Sequence, residues 1–98
     1  LRAVMAPRFP SFGWYRTVRP LRRDGEIDFD DEPVLGDAID DLVDIVHELR
    51  AALWCREHHG EEVGAALLAW SFDFHWGQHL RDLQGFLHFL VRSDIGRE

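Results

Sequence analysis

Between residues 34 and 56 the apolar positions step by four and three in alternation: Leu35, Ile39, Leu42, Val46, Leu49, Leu53. That spacing predicts an amphipathic helix from about Val34 to Arg56. Ala38, Ile45 and Ala52 widen its stripe, and Pro33 suits its first turn. His58-His59-Gly60 ends it, with Gly60 able to adopt a left-handed cap. A second helix is expected from Glu61 and Glu62, acids placed well for a helix N-terminus, to about Arg92. Its apolar face moves along its length. Val63, Ala66, Leu67, Trp70 and Phe74 share one face, while Phe72, Trp76, Leu80, Leu83, Leu87 and Leu90 share another, half a turn away. The change falls at His75 to Gln78. It predicts either a kink or break near Gly77 or one long helix buried on two sides, and the kink or break is preferred because a mid-helix glycine costs about 1 kcal/mol.

Residues 1–23 read as irregular. Pro7, Pro10 and Pro20 each disfavour helix at the preceding residue. Phe9, Phe12, Trp14 and Tyr15, with a bend at Gly13, read as a packed arm that covers the helices. The acidic stretch 24–32 looks like the second half of a calcium loop. The first half is wrong, since Pro20 and Arg22 stand where carboxylates are needed, so it reads as a linker. Nothing alternates with period two for long enough to be a strand. The fold expected is all-α: two or three helices with an irregular aromatic arm. Residues 1–33 form the arm and acidic linker and residues 34–98 the helical domain, one domain in total. The absence of a methionine at position 1 suggests a fragment of something longer. Two helices give a thin core, so a third element or a second copy is expected to complete it.

Charge narrows the function. The net charge is −7, which argues against general nucleic-acid binding. All eleven basic residues are arginine; Arg2, Arg8, Arg16, Arg19, Arg22 and Arg23 precede the first acid, Asp24, and from Asp24 to Glu48 there are eleven acids and no base. These blocks read as solvated surface, since exposed pairs contribute only about 0–1 kcal/mol. Cys55 is the single cysteine, so no internal disulfide forms and a reducing, cytoplasmic setting is the default. No apolar run suits a bilayer, so no membrane partner is expected.

One polar line crosses the apolar surface. Ser71, His75, His79 and Asp82 lie at spacings of four, four and three on the second helix. Two histidines four apart can ligate one metal, with Asp82 orienting His79. Asp41, Asp44 and Glu48 flank the stripe of the first helix and can face that line. Two histidines with carboxylates suit zinc, iron or manganese, with His75, His79, Asp41 and Asp44 as ligands. The zincin pattern is incomplete, because Trp76 follows His75 where a glutamate is required. The same residues also read as a structural network in which each histidine bonds one acid and fixes the helix register, and this reading is preferred, since a satisfied network needs no metal. Cys55 reads as packing, and His58, His59 and His88 as cap or surface residues. Ser71 lacks the strand-turn-helix setting of a nucleophile.

Asp40-Asp41-Leu42-Val43-Asp44-Ile45, followed by Trp70, Phe72, Phe74 and His75-Trp76-Gly77-Gln78-His79, resembles a bacterial family of small helical proteins, domain of unknown function family 5063. A Tyr15-like aromatic and a Pro20-like proline upstream fit it too, and the match covers about residues 12 to 90. The resemblance implies an all-α fold and marks His75, Trp76, Gly77, His79, Asp41 and Asp44, together with Trp70 as packing. It implies no activity. The leading expectation for function is a module that associates with protein, itself included, because its aromatic content exceeds what two helices bury. The alternative is a metal-binding protein or metal-dependent hydrolase using the two histidines and the carboxylates. Nucleic-acid binding through the N-terminal arginines is the least favoured reading.

Overall fold

The computed structural model describes residues 1–17 and 34–95. Their order is α1 (Arg2–Met5), a 3-10 turn (Ala6–Arg8), β1 (Trp14–Thr17), β2 (Val34–Asp37), α2 (Ala38–His59), α3 (Glu61–Ser71), a π-turn (Phe72–Trp76) and α4 (Gly77–Ile95). Helices dominate, as expected. The acidic stretch 24–32, Pro20, Pro33, Arg19, Arg22 and Arg23 lie outside the described residues.

Three local expectations are corrected. α2 begins at Ala38, four residues later than the stripe implied, because Asp37 caps it. The Asp37 carboxylate accepts from the Ile39 and Asp40 amides at 2.9 and 3.4 Å, satisfying donors that a helix start leaves unpaired. Leu35, read as the first member of the helical stripe, instead lies in β2 and is exposed. The arm is also not irregular throughout. β1 and β2 pair antiparallel, with Trp14 opposite Asp37, Tyr15 opposite Gly36, Arg16 opposite Leu35 and Thr17 opposite Val34. Four residues per strand are too few for a period-two signal to stand out. The Gly13 carbonyl accepts from the Ala38 amide at 3.1 Å, and Arg2 pairs with Asp37 and Asp40. The arm is thereby tied to the start of α2.

The third correction concerns Gly77. The helix neither breaks nor stops there. It widens into one π-turn and continues as α4, with the Gly77 amide donating to the Phe72 carbonyl five residues back. A methyl group at Gly77 would overlap that carbonyl oxygen. The turn is locked from inside by Ser71, which is 1% exposed. Its hydroxyl donates to the Leu68 carbonyl at 3.3 Å, and the Trp76 indole N–H reaches both groups, at 3.2 and 3.1 Å. One extra residue in the turn rotates everything after it by about 100°. It turns the buried side from Gly64 and Ser71 in α3 to Leu83 and Phe86 in α4, while Val63, Ala66, Trp70 and Phe74 of the first apolar face read in the sequence are exposed.

Gly60 reverses the chain between α2 and α3 at φ +101°, ψ 164°. The φ is positive, as expected of a glycine stop, but the conformation is extended and not the left-handed helical one. Gly64 then lets α3 lie close along α2; a Cβ there would sit 2.7 Å from the Arg56 Cβ. The buried core is Ala38, Ile45, Leu83 and Phe86, with Phe12, Tyr15, Leu42, Trp76, Leu80 and Leu90 packed against it. It therefore joins the first half of α2, α4 and the arm. Phe12 and Tyr15 meet Phe86 at ring-centroid distances of 5.8 and 5.7 Å, so two arm rings do cover the core. Trp14, Trp70 and Phe74 do not; each is more than half exposed.

Candidate metal centre

The first half of α2 presents Asp41, Asp44 and Glu48 on one flank, at three- and four-residue spacing. The π-turn and the first turn of α4 present His75 and His79 to that flank. His75 Nδ1 lies 2.8 Å from Glu48 Oε1, and His79 Nδ1 lies 2.7 Å from Asp41 Oδ1. A carboxylate accepts and does not donate, so each Nδ1 carries a proton and each Nε2 faces the other way. There the two Nε2 atoms stand 3.2 Å apart, and Asp44 Oδ2 is 3.1 Å from that of His79.

Three lone-pair atoms at these separations repel one another unless a cation sits among them. A proton on one ring is such a cation; so is a metal ion. Ligand atoms about 2.1 Å from a metal are about 3.4 Å apart in a tetrahedron and about 3.0 Å apart in an octahedron. The observed 3.1 and 3.2 Å lie between. Asp44, His75 and His79 are the group among the described residues whose ligand atoms converge closely enough for one ion, all within 4.8 Å.

Behind these three stands a layer of hydrogen bonds. Asp41 is 4% exposed and both its oxygens are used, one by His79 and the other by the Tyr15 hydroxyl. Burial raises its carboxyl pKa above the ordinary value; the Tyr15 and His79 hydrogen bonds pull the other way. Carboxylates on the far nitrogen fix the tautomer and raise the basicity of a ligating histidine. Glu48 does this for His75 and Asp41 for His79.

Residues 14–93 match the family described as Domain of unknown function (DUF5063). The chain belongs to that family. The span shared with DUF5063 takes in the ribbon, α2, α3, all but the last two residues of α4, Tyr15 and every residue of the centre, and leaves out α1. No curated protein and no solved structure matches the chain.

The polar residues singled out in the sequence separate into distinct roles. His75, His79, Asp41, Asp44 and Glu48 come together. Of the four residues the sequence reading offered as ligands, Asp44, His75 and His79 have atoms that converge, while Asp41 stands behind His79 and not among them. Asp82 accepts from the Gln78 amide at 2.9 Å, and the orienting role expected of it belongs to Asp41. Ser71 serves the π-turn. His58, His59 and His88 are exposed; His58 Nδ1 lies 2.9 Å from the Trp54 carbonyl. Cys55 is half-buried. Tyr15 is the residue the spacing pattern did not assign to the site. Its signal was its place opposite Gly36, which alone leaves room for the ring to cross the ribbon toward Asp41.

Proposed function

We propose that this protein binds one divalent transition-metal ion, zinc, iron or manganese, through Asp44, His75 and His79. The observation that carries the reading is the convergence of two imidazole Nε2 atoms and a carboxylate oxygen within ligand spacing, each imidazole backed at Nδ1 by its own carboxylate. A purely structural network has no need to turn two Nε2 atoms toward each other. The placement adds support: the π-turn that brings His75 to the centre is a device often found at functional sites. The test is a far-ultraviolet circular dichroism melt of the untagged chain, chelator-stripped and with one equivalent of zinc. Zinc raises the midpoint if it binds the folded state, by RT ln(1 + [L]/Kd). An unchanged midpoint in the presence of excess zinc contradicts the reading.

A second reading, association with a protein partner or another copy, rests on a different observation. The apolar stripe of α2 is covered by α4 at Ile45 but open at Leu49 and Leu53, which are 42% and 51% exposed. They line an apolar groove of about 580 Å³ between α2 and α3, together with Ala65 and Leu68. Sedimentation across a wide concentration range tests it; a folded monomer throughout counts against self-association. No described helix is long and apolar enough to cross a membrane. We read the setting as cytoplasmic from the lone Cys55.

A further inference from the structure

The centre opens on a cavity of about 410 Å³, lined by Asp44, His75 and His79 and walled by Trp14, Tyr15 and Phe74. Resting on the metal reading above, we infer that the bound ion keeps at least one coordination position open to this cavity, and that the ligand taken there is uncharged or cationic, not a phosphate or carboxylate. Two arguments converge on this.

The first is coordination number. Three protein ligands are one short of the four that zinc takes and further short of the six usual for manganese or iron. All three ligand residues face the cavity, so the remaining position opens into it. Structural zinc sites are closed by four protein ligands; three with an open face are the pattern of sites that take an exogenous ligand.

The second is charge. A divalent ion brings +2, while Asp41, Asp44 and Glu48 in and behind the centre bring −3, leaving −1. Among the described residues lining the cavity there is no lysine or arginine. Arg2, which does not line it, is engaged with Asp37 and Asp40. A phosphate would reach a centre that is already over-neutralised and, among the described residues lining the cavity, would find no guanidinium fork of the kind that grips phosphate. The aromatic walls suit a flat or positively charged group instead. Trp14 and Phe74 line it, and cations and planar groups rest favourably on aromatic rings. The ligand class that fits is a small molecule or side chain bearing a neutral nitrogen or carbonyl oxygen, with no anionic group.

The experiment uses the full chain loaded with cobalt(II), whose visible absorption reports its ligands. Imidazole is titrated in at mildly alkaline pH, where it is uncharged, and inorganic phosphate in a parallel titration. The expected result is a saturable shift of the cobalt bands with imidazole, and half-saturation by phosphate only at a concentration at least about tenfold higher, as like-charge juxtaposition requires. Bands unmoved by imidazole overturn the open position. Phosphate binding as tightly as imidazole overturns the charge argument. Failure of cobalt to produce bound bands at all is a different outcome, and it overturns the metal reading on which this inference rests.

Discussion

Tyr15→Phe separates the supporting hydrogen bonds from the ligands themselves. The Tyr15 hydroxyl donates to Asp41 Oδ2, while Asp41 Oδ1 takes the proton of His79 Nδ1. The Asp41 side chain is 5% exposed, so water does not readily replace the lost donor. Phenylalanine keeps the ring over Gly36 and beside Phe86, so packing is preserved and only the hydroxyl is removed. Leaving one buried oxygen short of a partner costs about 1–3 kcal/mol. For a domain of this size each kcal/mol moves the melting midpoint by about 4–8 °C, so the metal-free variant should melt several degrees or more below the wild type. Metal affinity should fall separately, because Asp41 no longer holds the His79 ring as firmly. Loss of such an outer partner weakens binding by about 10–100-fold, or about 1.4–2.7 kcal/mol. The assay is competition for zinc against a chromophoric chelator at neutral pH, run beside the metal-free melt. A Tyr15→Phe variant that binds zinc within about twofold of wild type would refute the claim that Tyr15 acts on the centre through Asp41.

Other substitutions probe the remaining parts. Gly77→Ala places a methyl group on the Phe72 carbonyl oxygen and should cost about 1–3 kcal/mol, with metal affinity reduced because His75 sits inside the affected turn; a melt and the zinc competition read both effects. Asp41→Asn tests burial: the unfolded carboxyl titrates near its ordinary 3.8 and the folded one above it, so the stability linked to that proton is present below 3.8 and lost as pH rises through the raised value. The melting difference between Asp41→Asn and wild type, both metal-free, should therefore shift in favour of the variant as pH rises over that window. Leu53→Glu adds a charge to the α2–α3 groove and should shift any self-association seen by sedimentation toward monomer, with helical content unchanged.

The long-range layout was legible because helices write their period into the sequence. Ile39 and Leu83 are buried as the two stripes require and Ile45 as a residue that widens the first, whereas Phe86, outside the stripes, is buried in place of Leu87, which is 38% exposed; the irregularity expected near Gly77 falls beside the π-turn. Its form was not legible. What sets the π-turn apart from a glycine kink is Ser71 and Trp76 bonding inward to Leu68, which periodicity does not display. The start of α2 was misplaced because Leu35 extends the stripe by chance, although Asp37 ahead of Ala38-Ile39-Asp40-Asp41 is a readable N-cap. At the centre, spacing brought out both histidines and all three acids. It did not reveal which acid meets an Nδ1 and which an Nε2, since Asp41 and Asp44 are one helical turn apart and spacing along the chain does not say which stands over which ring nitrogen.

The central claim is that Asp44, His75 and His79 hold one metal ion. The most direct measurement is isothermal titration of zinc into the chelator-stripped chain at neutral pH, alongside a His75→Ala/His79→Ala variant shown by circular dichroism to remain helical. The account predicts saturation at one zinc per wild-type chain and no saturable binding in the variant. Zinc heats in the wild type that do not saturate, or equal binding by the variant, would contradict it.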